Sequence, residues 1–339
     1  MPKMENREKD ILRISELRDI LTESNRRYYV DNAPTISDFE YDRLMNELIE
    51  LEKRYPELVT PDSPTQHVGS DRTKEFAQYR HRYPMLSLGN TYDISEVVAF
   101  SERVSKSLGS TMFSYSCELK FDGTAICLTY RNGELFRALT RGDGTVGDDV
   151  TANVRHISNI PQKLHGGTFP EEFEIRGEIY MPYAAFDRLN AERERDEDVP
   201  FANPRNAASG SLKLLNPSEV GKRGLECTLY HILGENLPFA THSEALSVAK
   251  SWGLPVSDKS KVCRNIEEIE DYISYWDSER RKLPFATDGI VIKVNELPYQ
   301  KALGYTAKFP RWAVAYKFKA EQALTKLLSI DYQVGRPVP

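Results

Sequence analysis

The sequence predicts an α+β protein, antiparallel sheets with flanking helices, preceded by a small all-α domain. Three observations carry that reading. Helical apolar stripes run through residues 9 to 55, the pattern changes to strict alternation beyond residue 110, and Asn132-Gly133, a preferred tight hairpin turn, joins two alternating runs.

The elements follow in order. Ile11, Ile14, Leu17 and Leu21 mark one apolar stripe, and Tyr41, Leu44, Leu48 and Leu51 another, so two helices or more fit the first stretch. Ser37 with Glu40 three residues on forms a capping box for the second helix, and Pro56 follows its end. "YPELVTPDSPTQHVGS" reads as a linker. The strand candidates are "CELKFDG", "TAICLTYRNGELFRALT", "FEIRGEIYM", "CTLYHIL", "DGIVIKV" and "WAVAYKFK", with helical stretches near 183–195 and 243–252. The hairpin makes the sheet at least partly antiparallel.

At 339 residues and 40% hydrophobic content the chain can bury a real core, and its length suggests about two domains. Lys and Arg number 45 against 51 Asp and Glu, a net charge of −6, so contact with nucleic acid would come from local basic patches. Cys117, Cys127, Cys227 and Cys263 are too scattered for a zinc knuckle or a disulfide scaffold, which suits a reducing cytoplasm. The charged N-terminus lacks an apolar signal core, and no apolar run approaches the ~20 residues of a membrane span.

In "CELKFDG" the charged Glu118, Lys120 and Asp122 share one strand face, against Cys117, Leu119 and Phe121 on the other. "FEIRGEIYM" separates likewise, with Glu174, Arg176, Glu178 and Tyr180 on one face, while Lys293 and Lys317 stand alone among apolar neighbours. Each alone reads as a solvated face. Repetition over four strands instead suits a polar cavity between sheets, able to bind a phosphate and to depress the pKa of one lysine until its amine is a nucleophile. "GDGTVG" at 142–147 fits a dinucleotide fingerprint, but the strand before it belongs to a hairpin, and Asp143, Asp148 and Asp149 oppose a pyrophosphate. A Gly-rich turn beside Arg141 is the preferred reading.

Taken together, "CELKFDG", "TRGDGTVGDDVT", "EIRGEIY", "NPRNAASGSL", "DGIVIKV" and "WAVAYKF" closely resemble, in order and spacing, the nucleotidyltransferase motifs of the bacterial NAD-dependent DNA ligases. "YYVDNAPTISDFEYDRL" and "LVTPDSPTQHVG" resemble that family's leading segment. The resemblance implies a nucleotidyltransferase fold of ATP-grasp-like antiparallel sheets. Residues 1–70 would be a helical domain recognising nicotinamide mononucleotide (NMN), with its linker. Residues 71–320 would be the adenylation domain, and 321–339 the start of a truncated OB domain. Zinc is expected only in the missing C-terminal part.

Family chemistry implies that Lys120 attacks NAD, takes AMP and expels NMN, and that AMP passes later to a 5′-phosphate at a nick, in DNA replication and repair. Glu118 would face the adenine and Tyr230 stack on it; Arg141 and Glu178 would meet the ribose region, and Lys293 and Lys317 the phosphate. Ser87 and Leu88 match the nucleotide-contacting segment. Magnesium (or manganese) would be held through waters by Asp122 and Glu178. Tyr28, Tyr29, Asp38, Tyr41 and Asp42 would receive the nicotinamide half, paired acids and ring faces suiting a ribose and a cationic ring. Arg205, Lys213 and Arg280 would meet phosphate or nicked duplex DNA. The sequence departs from the family pattern at Lys213, where arginine is common, at Tyr29, where some members carry histidine, and at Lys319, where proline is frequent. A soluble cytoplasmic monomer is expected. The competing readings are a dehydrogenase built on "GDGTVG" and an NAD- or DNA-binding module without catalysis.

Overall fold

The computed structural model describes residues 2–29, 35–66, 70 and 75–319. The first unit is a pair of helices, α1 (Pro2–Tyr29) and α2 (Asp38–Arg54). Ser37 caps α2 by accepting the Glu40 N–H at 3.1 Å, while the Glu40 carboxylate turns to Arg43 rather than back to the cap. Ile14, Leu17 and Leu21 pack against Leu44, Met45, Leu48 and Leu51. Ile11 lies off the expected stripe at 38% exposure. The face that meets the end of α2 passes through Asp10 instead, whose carboxylate accepts the Tyr55 hydroxyl at 2.9 Å.

The larger unit runs β1 (Gln78–Arg80), β2 (Gly89–Thr91), α3 (Ile94–Leu108), β3 (Tyr115–Phe121), β4 (Thr124–Arg131), β5 (Glu134–Thr140), β6 (Val146–Asp148), α4 (Thr151–Val154), β7 (Glu172–Tyr180), α5 (Tyr183–Arg195), α6 (Pro204–Leu212), α7 (Pro217–Lys222), β8 (Glu226–Leu233), α8 (His242–Ser251), β9 (Lys261–Cys263), α9 (Ile266–Glu279), β10 (Thr287–Val294), α10 (Leu297–Leu303) and β11 (Ala313–Lys317). One sheet has the order β2-β11-β10-β3-β9 and a second β5-β4-β7-β8, while β1 pairs with β6. Pairing is antiparallel except between β2 and β11.

Alternation sorts each strand between a core and the inter-sheet space. Tyr115, Cys117 and Leu119 of β3 join Ile290, Ile292 and Val294 of β10 under α3 and α9. Ile126, Leu128 and Tyr130 of β4 and Phe173, Ile175 and Ile179 of β7 form the second core. The α+β class and the antiparallel sheets agree with the sequence reading, as do the expected helices near 183–195 and 243–252. Helices α3, α4, α6, α7, α9 and α10 and the three-residue strands β1, β2, β6 and β9 are additions to it. "GDGTVG" is a turn, with Asp143 Oδ1 accepting the N–H groups of Thr145 and Val146 at 2.9 and 2.8 Å before β6. The four cysteines are free and buried. No helix among the described residues is long and apolar enough to cross a membrane. The expected OB start at 321–339 lies outside the described residues.

Candidate active site

Register builds the site. Ser116 of β3 pairs with Lys293 of β10, Glu118 with Val291, and Lys120 with Gly289, while Gly289 also pairs with Lys317 of β11. Directly opposed residues project to the same side, so these polar side chains share one face. Gly289 stands between the two lysines; a Cβ there would come 2.1 Å from the Tyr316 carbonyl oxygen. That face is one wall of a cavity of about 470 Å³. The opposite wall carries Ala125, Arg141, Arg176, Glu178 and Tyr230 of the second sheet and its connections, and Tyr28, Asp38, Tyr41 and Asp42 of the helical unit close one side. Ser87 and Leu88 line it as well.

Lys120 donates to both Asp288 oxygens, at 2.9 and 2.8 Å. Burial works to lower its pKa, but the Asp288 carboxylate overrides it and leaves the ammonium above its ordinary value. This corrects the expected depressed nucleophile, because the sequence argument had no counter-ion for Lys120. Arg205 donates to Asp122 at 3.1 Å. Asp122 is nevertheless raised by burial, and burial pushes Glu178 up to about 7 with Asp122 and Asp288 adding to it. A Cβ on Gly123 would come 2.2 Å from the Ile179 carbonyl oxygen and 3.0 Å from Glu178 Cγ, so the turn between β3 and β4 is closed onto β7.

A second polar group lies deeper. Lys293 Nζ donates to Glu118 Oε2 at 2.8 Å and to the Tyr230 carbonyl at 2.9 Å, with the Tyr230 ring centre 5.2 Å away. His242 Nε2 is 2.8 Å from Glu118 Oε1, which also accepts the Ser116 hydroxyl at 2.9 Å. Glu118 falls to about 2: burial opposes its charge, but Lys293 and His242 more than compensate. Burial lowers Lys293, with Glu118 resisting.

The helical unit is tied to the sheets by the residues expected to read the nicotinamide half. Lys317 donates to Asp38 at 2.8 Å and lies 3.8 Å from Asp42. Asp42 also accepts Asn90 Nδ2 at 2.8 Å and the Tyr92 hydroxyl. Arg205 stacks on Tyr28 at 4.5 Å, and Tyr41 donates to Asn25 at 2.9 Å.

The expected residues Tyr28, Asp38, Tyr41, Asp42, Ser87, Leu88, Glu118, Lys120, Arg141, Glu178, Arg205, Tyr230, Lys293 and Lys317 therefore line one cavity. Asp122 adjoins it through Arg205. The Tyr29 side chain lies outside the described residues. Lys213 is elsewhere, its ammonium 3.0 Å from the buried Asp148 carboxylate, and Arg280 stacks on Phe318 at 4.8 Å. Sequence reasoning missed the roles of Asp288 and His242. The first stood inside "DGIVIKV" without a partner to pair it with, and the second comes from a helix 124 residues from Glu118 in sequence.

Residues 73–321 match the model described as the NAD-dependent DNA ligase adenylation domain, and residues 7–69 that of the DNA ligase-like, N-terminal NAD+-binding domain. The chain is 57% identical over 324 residues to a DNA ligase of Parabacteroides distasonis, covering 96% of this chain and 49% of that protein. It is 56% identical over 327 residues to one of Phocaeicola vulgatus, with 96% and 49% covered, and 54% identical over 326 residues to one of Cytophaga hutchinsonii, with 96% and 48% covered. The chain thus spans about half the length of the curated relatives it matches.

Proposed function

The chain belongs to the NAD-dependent DNA ligase family, and from that premise we propose that it performs that family's first step. Lys120 Nζ attacks the adenylyl phosphorus of NAD, a P–N bond to AMP forms, and the pyrophosphate bond to NMN breaks. AMP passes later to a DNA 5′-phosphate at a nick. The observation that carries this reading is Lys120 itself, an ammonium chelated by Asp288 on the wall of a cavity shared by both units. Since the amine must shed a proton to attack, Asp288, already bonded to it, is the group to receive it. Lys317 and Arg205 supply positive charge for the reacting phosphates.

Glu118 and Lys293 set an acceptor beside a donor, the complement of the adenine edge, whose exocyclic amine donates next to an accepting ring nitrogen. On this reading Lys293 serves the base with Glu118, rather than the phosphate. Tyr230 and Arg141 flank the nucleoside, with Ser87 and Leu88 lining the same cavity. Tyr28, Asp38, Tyr41 and Asp42 receive the nicotinamide half.

A magnesium or manganese ion fits Asp122 and Glu178. Burial, with Asp122 and Asp288 nearby, raises the Glu178 carboxyl to about 7, which a bound cation would reverse. Two carboxylates are too few to enclose such an ion, so it would keep most of its hydration shell. Such an ion would neutralise phosphate charge there. The proposed organisation is residues 1–70 for NMN recognition and 71–320 for adenylation, acting as a cytoplasmic monomer. Nick sealing by this chain alone should be poor. Of the proposed DNA-phosphate contacts, Lys213 is held by the buried Asp148, and Arg205 lines the cavity, where on this reading it serves the phosphates of NAD, whereas phosphate contacts supply most of the affinity for duplex DNA.

Intact-mass measurement after incubation tests the proposal. An AMP adduct should form from NAD and not from ATP, and Lys120→Ala should abolish it while circular dichroism stays unchanged. Labelling of the alanine variant, or none of the parent chain, would refute it.

A further inference from the structure

Behind the cavity wall, His242 touches the two groups that face a ligand without facing it itself. Glu118 and Lys293 line the cavity, and His242 does not. His242 is 1% exposed at the start of α8, and its position is over-determined: its N–H donates to the Asn295 carbonyl at 2.7 Å, and the next N–H, of Ser243, donates to Asn295 Oδ1 at 3.0 Å. Its ring lies 5.7 Å from that of His231.

The hydrogen positions follow from the contacts. A bare Nε2 at 2.8 Å from a carboxylate oxygen would set two acceptors against each other, so Nε2 carries the hydrogen and donates to Glu118 Oε1. The 3.2 Å approach of Lys293 Nζ to the same nitrogen is then no bond. A carboxylate oxygen accepts about two hydrogen bonds. Oε1 is filled by Ser116 and His242, whereas Oε2 takes one from Lys293 and keeps an acceptor site beside a lysine that also donates to the Tyr230 carbonyl. His242 thus decides which oxygen is left to read a ligand and at what angle.

We propose that His242 is a positioning residue for base selection: by pinning Glu118 Oε1 it holds Oε2 beside the Lys293 ammonium as an acceptor–donor pair that admits adenine and rejects a 6-oxopurine. Hypoxanthine inverts both groups, setting its oxygen against the carboxylate and its ring N–H against the ammonium. This rests on the proposed adenylation reading, which places a nucleotide base against this wall.

The test compares AMP labelling from NAD with IMP labelling from nicotinamide hypoxanthine dinucleotide, in separate reactions followed by intact mass on the whole chain. His242→Leu should lower the preference for NAD by about tenfold or more, as one misdirected hydrogen-bond partner costs in a buried site. His242→Gln, whose amide reaches the same oxygen, should keep it. If the leucine variant does not fold, His242→Asn, a donor too short to reach Glu118, should show the same loss. An unchanged ratio in the leucine or asparagine variant, even with slower labelling overall, would reduce His242 to a packing role and overturn the proposal. Equal use of the two dinucleotides by the parent chain would overturn it too. No labelling by NAD at all would sink the adenylation reading itself, a separate result.

Discussion

Replacing Lys293 by methionine removes the cation that makes Glu118 tolerable in the interior. The two side chains are 6% and 9% exposed and 2.8 Å apart. Glu118 falls from an ordinary 4.5 to about 2. At about 1.4 kcal/mol per pH unit this is about 3 kcal/mol of stability carried on the carboxylate side. Burial takes some of that back through Lys293, whose own pKa is lowered, so the pair is worth less as a whole than either half is missed when deleted. Breaking such a pair typically costs about 3–5 kcal/mol, because the remaining charge stays buried.

Lys293→Met should therefore destabilise the larger unit by about 3–5 kcal/mol in urea unfolding followed by tryptophan fluorescence. The three tryptophans, at 252, 276 and 312, all lie in that unit. The double variant Glu118→Gln with Lys293→Met should recover most of the loss. Lys53→Met should change nothing measurable, since Lys53 and Glu50 pair at 67% and 68% exposure. The sign with pH is set by Glu118. Its folded pKa is depressed, so its contribution is complete above pH 4.5 and is lost as pH falls toward about 2. The penalty of Lys293→Met should shrink as pH falls, beginning where Glu118 of the variant, raised by burial without its cation, takes up a proton and ending near 2, as a protonated Glu118 no longer needs a cation. A cost below about 1 kcal/mol, the range of exposed pairs, or a double variant worse than the single one, would refute the reasoning.

Other perturbations bear on the remaining groups. Asp288→Asn removes the main charge that raises Lys120, leaving burial and Arg205 opposed only by the weaker pull of Asp122, so the rise of the AMP-labelling rate with pH should move to lower pH; an unmoved rise would mean that Asp288 does not set the charge of Lys120. Asp38→Ala should slow attack on NAD by about tenfold or more, as loss of a charged contact does, while sparing AMP transfer by a full-length protein already adenylated. Equal loss in both steps would place Asp38 in a shared or structural role. Gly123→Ala forces a Cβ to 2.2 Å from the Ile179 carbonyl and should depress labelling together with stability, read as a fall in melting temperature; a normal enzyme would show that the β3–β4 turn can open without cost.

The sequence by itself determined the seven longer strands and their faces, and it singled out Lys120 as the proposed nucleophile. Alternation of period two depends only on local backbone geometry, and a lysine between two acids in "CELKFDG" is chemistry written in consecutive residues. The helical pair was legible from its apolar stripes, except at Ile11, which is exposed where the contact face passes through Asp10. Apart from the Asn132-Gly133 hairpin, pairing belonged to the tertiary structure. That Lys120 meets Asp288 from 168 residues away, that Lys293 meets Glu118 rather than open space, and that His242 stands behind both depend on strand register and on where a distant helix begins. Charge state followed the pairing. Burial alone argues for a depressed Lys120 pKa, and only the position of one carboxylate, invisible in one dimension, reverses the sign.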